Sequence, residues 1–64
     1  MTPKFEYDPE ANAAYIRFSS EKVLESEEVS DGIILDYDIE GHIVGMEVLD
    51  ARQNLPRTML EQAA

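Results

Sequence analysis

Residues Asp36–Glu47 read DYDIEGHIVGME. Acids at relative positions 1, 3 and 5, glycine at 6, isoleucine at 8 and glutamate at 12 match an EF-hand calcium loop, in which oxygen ligands surround the ion. On that reading the ligands would be Asp36, Asp38, Glu40 and Glu47. The loop also needs a helix on each side. Its flanks here are Gly32-Ile33-Ile34-Leu35 and Val48-Leu49-Asp50, strand-like and without a 3.6-residue apolar period. The same letters make a β-hairpin turning at Glu40-Gly41.

Parity sets the hairpin register, because a slip of one residue flips every side chain to the other face. An even loop places Ile33, Leu35 and Tyr37 beside Val44, Met46 and Val48, a wholly apolar face. An odd loop would set them against Ile43, Gly45 and Glu47. Burial favours the even loop, and Asp36 and Glu47 then lie diagonally out of step. The expectation is a hairpin with no metal site. Calcium binding through this loop is the alternative.

Other chemistry finds little support. His42 is the sole histidine and sits beside a turn glycine; a Ser-His-Asp arrangement would need it to reach Ser19, Ser20, Ser26 or Ser30. There is no cysteine, no zinc-ligand spacing and no glycine-rich phosphate loop. Carboxylates are plentiful, so a small carboxylate-dependent hydrolase is a further alternative, but 64 residues leave little room for a deep pocket. The expectation is a protein that is not an enzyme and carries no cofactor.

Charge narrows the partners. Fourteen acids against five Lys and Arg give a net charge of −9, which opposes direct nucleic-acid binding and suits a basic protein partner. The opening MTPKFEYD has no apolar signal core, and no apolar run reaches membrane-spanning length. Together with the missing cysteines, this predicts a cytoplasmic protein without a membrane partner.

The residues that would do any of this must be held by strands. Lys4–Asp8 alternates, with Phe5 and Tyr7 on one face, and Ala14–Phe18 alternates with Tyr15 and Arg17 opposite Ile16. Asp8-Pro9-Glu10-Ala11-Asn12 between them is turn chemistry, with room for one helical turn. Val23–Val29, rich in Glu25, Glu27 and Glu28, reads as a charged edge strand. Ile33–Asp38 and Ile43–Leu49 are the strongest strands. A short helix follows over Leu55–Glu61, with Asn54 as cap and Pro56 in its first turn. The fold class is therefore α+β, an antiparallel β-meander of four to five strands with one C-terminal helix, in a single small domain over residues 1–64. In that arrangement Leu55, Met59 and Leu60 would cover Leu35, Val44 and Met46.

The sheet's second face then collects Tyr15, Arg17, Ile34, Asp36, Ile43, Glu47 and Leu49, the interface candidates. An aromatic, an arginine and aliphatics together are what interfaces enrich. Arg17 would pair with Asp36 or Glu47 across strands. One short helix covers one face only, so a homodimer through the other is expected, favoured by salt that screens two chains of −9.

The strings YDPEANAAYIRF and SEEVSDGIILDYDIEGHIVGMEVLDA resemble a small uncharacterised prokaryotic family, domain of unknown function 2283. The likeness covers Glu6 to about Ala51 and places Tyr7, Asp8, Tyr15, Arg17, Gly32, Asp36, Gly41, Gly45, Glu47 and Asp50 on motif positions. Asn12 stands where the motif has aspartate, which weakens a carboxylate role there. The resemblance implies no established activity. Similar proteins are sometimes encoded beside small toxin-like proteins, which suggests an antitoxin-type partner role.

Overall fold

A computed structural model describes residues 3–63. Five strands form one antiparallel sheet: β1 (Lys4–Asp8), β2 (Ala13–Arg17), β3 (Glu25–Ser30), β4 (Ile33–Tyr37) and β5 (Ile43–Leu49). Two short helices close the chain, α1 (Ala51–Asn54) and α2 (Arg57–Ala63). The α+β antiparallel fold is as the sequence predicts, with its helical tail split in two. The strand order is β1-β2-β5-β4-β3. The chain thus makes a hairpin, crosses to the far edge, and returns as a three-stranded meander that docks β5 against β2.

The even register holds. Ile33 pairs with Val48, Leu35 with Met46 and Asp36 with Gly45. A bulge follows Asp36, so that Tyr37 meets Ile43 and not Val44. The turn beyond it is held by Asp38. Its Oδ1 accepts the backbone N–H groups of Glu40 and His42, both at 2.9 Å, while Gly41 takes the left-handed φ of 84° that the tight reversal demands.

The core lies on one side of the sheet. Ala14, Val48, Ala51 and Leu60 are buried together, with Phe5, Tyr7, Ile33, Met46 and Leu55 packed against them. The helices therefore land over β1 and β5, and Leu60 sits near Ala14 and Val48 instead of over Leu35 and Val44. Small residues explain the shift: Ala14 and Ala51 let the tail approach the sheet closely there.

Asn54 ends α1 and does not cap α2; its amide donates to the Leu49 carbonyl at 3.0 Å. Leu55 is extended (φ −120°, ψ 151°), as a residue before proline should be, and this separates the two helices. α1 is capped from a distance. The Asn12 carbonyl accepts from Ala51 N–H at 2.9 Å, and Asn12 Oδ1 accepts from Arg52 N–H at 3.0 Å. Asn12 itself is left-handed, in a turn where Asp8 Oδ1 accepts from Glu10 N–H. Among the described residues no helix is long and apolar enough to cross a membrane.

Candidate functional site

The face away from the helices is built by register. Arg17 lies opposite Gly45 and Gly45 opposite Asp36; Tyr15 lies opposite Glu47 and Glu47 opposite Ile34. Ala13 pairs with Leu49, and Asp36 with Ser26 at the outer strand. The structure thus brings Tyr15, Arg17, Ile34, Asp36, Glu47 and Leu49 onto one surface. Ile43 lies beyond the bulge, paired with Tyr37.

A chain of hydrogen bonds crosses this face. The Tyr15 hydroxyl donates to Asp36 Oδ2 at 2.7 Å and accepts from Arg17 Nη1 at 3.3 Å. Ser26 Oγ donates to Asp36 Oδ1 at 2.6 Å. Arg17 Nη2 also donates to the Glu21 carbonyl. The expected direct pairing of Arg17 with Asp36 is not formed; each bonds the Tyr15 hydroxyl instead. No ion pair among the described residues joins Arg17 to Asp36 or Glu47. Burial and the hydrogen bond to Asp36 push the Tyr15 phenol above its ordinary pKa. The phenol stays protonated, as a donor to Asp36 must.

Gly45 makes this possible. A Cβ there would stand 2.2 Å from the Tyr15 hydroxyl oxygen and 2.8 Å from its ring carbon Cζ. The ring end lies directly on the Gly45 backbone, and any side chain would drive it off Asp36.

The four carboxylates of the calcium reading do not converge. Asp36 faces Tyr15 and Ser26 on the sheet, while Asp38 spends Oδ1 on turn amides and Oδ2 lies 3.6 Å from His42 Nδ1. Hydrogen bonds from the His42 and Glu40 amides hold the Asp38 carboxyl below its usual pKa. Glu47 lies on the open face, opposite Tyr15. Among the described residues no three His, Asp or Glu side chains are grouped as a metal site. His42 is taken up by this turn. In the Tyr15 cluster both Asp36 oxygens accept hydrogen bonds, one from Tyr15 and one from Ser26.

A family model described as Protein of unknown function (DUF2283) matches residues 4–52. The chain belongs to this family. Neither the curated proteins nor the solved structures hold a significant match. Most motif positions of this DUF2283 member have structural work: Asp8 and Gly41 in turns, Asp50 at a left-handed φ of 51° before α1, Gly45 beneath Tyr15. Asn12, where the motif has aspartate, accepts from Ala51 and Arg52 N–H through oxygens that an aspartate would equally supply, and its amide also donates to Gln53 Oε1 at 3.3 Å, which an aspartate could not do. From the sequence, Ser26 enters only as a partner for His42, and its bond to Asp36 is not foreseen. Its one signal is a small hydroxyl among glutamates at the alternate position facing Asp36.

Proposed function

We propose that this chain is a non-enzymatic protein-interaction module of the cytoplasm that self-associates through its open sheet face. What carries this reading is that the face is already ordered. Tyr15, Arg17, Asp36 and Ser26 fix one another by hydrogen bonds, beside half-buried Ile34 and exposed Leu49, and both helices lie on the other side. Side chains fixed in advance lose little freedom on docking. Tyrosine and arginine framed by aliphatics match the composition of interfaces.

A two-fold dimer would bury this surface and enlarge the core of a chain too short to build a large one. Glu47, half-buried and in no ion pair among the described residues, would then meet the Arg17 of the second copy. The acidic surface suits a basic protein as a further partner, as an antitoxin-type role would require. The test is a mixture of isotope-labelled and unlabelled chains. Intermolecular contacts from the Ile34 and Leu49 methyls to the Tyr15 ring support the reading; contacts from β3 or α2 alone oppose it.

A further inference from the structure

The helix side of the sheet is only partly covered. α2 packs on β1 and α1 on β5, which leaves the strip formed by β4 and β3 open. At one end of that strip the β2–β3 connection meets the β4–β5 loop, where Leu24 N–H donates to the Tyr37 carbonyl at 2.8 Å. Leu24 and Ile39 stand there 57% and 82% exposed. With Tyr37 they line a hollow of about 340 Å³ whose other walls include Glu25, Glu27 and Asp38. On the far side of the same two apolar residues lie Glu21 and Glu40, with Lys22 as the cation. The turn is held by Asp38 and Gly41, so Ile39 does nothing for it that a polar residue would not do.

Charge decides the occupant. A second copy would bring its own glutamates to the same place, and a two-fold pairing of β3 sets like charges face to face. A neutral apolar segment would strip water from Glu25 and Glu27 without compensation. A segment bearing lysine or arginine answers both the carboxylates and the hollow. β3 is also an edge strand with one free main-chain side, limited by the bulge between Glu28 and Ser30.

We propose that this hollow and the adjoining edge of β3 dock an extended, lysine- or arginine-bearing segment of a partner protein. One large apolar side chain sits between Leu24, Tyr37 and Ile39. Glu25 and Glu27 project to the same side of β3, so basic residues at alternate positions of the added strand face them. This rests on the reading of the chain as an interaction module, but not on its open face.

The experiment is amide NMR of the full chain titrated with a synthetic strand peptide. The peptide alternates threonine with two lysines and a phenylalanine. Shifts confined to Leu24–Glu28 and Tyr37–Gly41 are expected. Reversing both charges, Glu25→Lys with Glu27→Lys, should weaken binding about tenfold or more. Ile39→Ser, at an exposed position, should weaken it with the fold unchanged. Ile34→Glu should leave it intact even where it abolishes self-association, which separates failure of one interface from failure of the other. Equal binding of a peptide with serine in place of phenylalanine, shifts scattered over all acidic surfaces, or no binding at millimolar peptide would overturn the proposal.

Discussion

The two halves of the helix-side surface show how a short chain distributes burial. Where β1, β2 and β5 lie, both helices dock and Ala14, Val48, Ala51 and Leu60 disappear from solvent. Where β4 and β3 lie, no helix arrives, and every residue of β3 is exposed. The difference starts in composition. Alanines let a helix approach the sheet, whereas Glu25 and Glu27 on the same side would lose water beneath one. Stability is thus concentrated in one half, and the other keeps its charge.

The largest test of that contrast is Leu60→Ala. Loss of this buried side chain should lower unfolding stability by about 2–5 kcal/mol, read by urea titration. Ile39→Ala in the other half should change it by under about 0.5 kcal/mol. Comparable losses at both positions would erase the distinction.

Gly45→Ala comes next. The added methyl must displace the Tyr15 ring end, at a cost of about 1–3 kcal/mol and with loss of the Tyr15–Asp36 bond. The helix-side core should persist, so the Tyr15 ring resonances should move while those of Phe5 and Tyr7 stay. A smaller effect is expected at Asn12. Asn12→Ala removes the acceptor for Arg52 N–H and should cost about 1 kcal/mol, while Asn12→Asp should retain most of it. Equal losses from the two variants would show that the oxygen is not what caps α1.

The smallest effect is set by pH. Charged Asp38 is favoured in the fold, so its contribution is present above the ordinary aspartate value of about 3.9. It is lost as pH falls through the lower folded value. The Glu40 and His42 amides should then shift and exchange faster, with the β1–β2–β5 half unchanged. Asp38→Asn should remove that transition.

Strands were legible in the sequence because alternation is local: β1 and β5 fall on the predicted bounds, and the β4–β5 register follows from which face is apolar. The bulge at Asp36 was not legible, since no residue there requires it. α1 was missed because Asp50 caps it with no side-chain bond, and its acceptors come from Asn12, about forty residues earlier. Placement of α2 depended on how closely Ala14 and Ala51 let it approach, a packing property with no periodic signal. Tyr15, Arg17 and Asp36 could be assigned to one face by parity. That Gly45 seats the Tyr15 ring, and that Ser26 completes the Asp36 contacts, required knowing that β2 lies beside β5 and β3 beside β4.

If the open face joins two copies, as proposed, molar mass by light scattering across salt concentrations reads it out most directly. The wild type should be a dimer at high micromolar concentration, more so as salt screens two chains of net charge −9. Ile34→Glu places a third acid between Glu28 and Glu47 on that face and should be monomeric with its circular dichroism preserved. A wild type that stays monomeric at every salt concentration, with Ile34→Glu equally stable, would contradict the claim and leave this face as solvated surface.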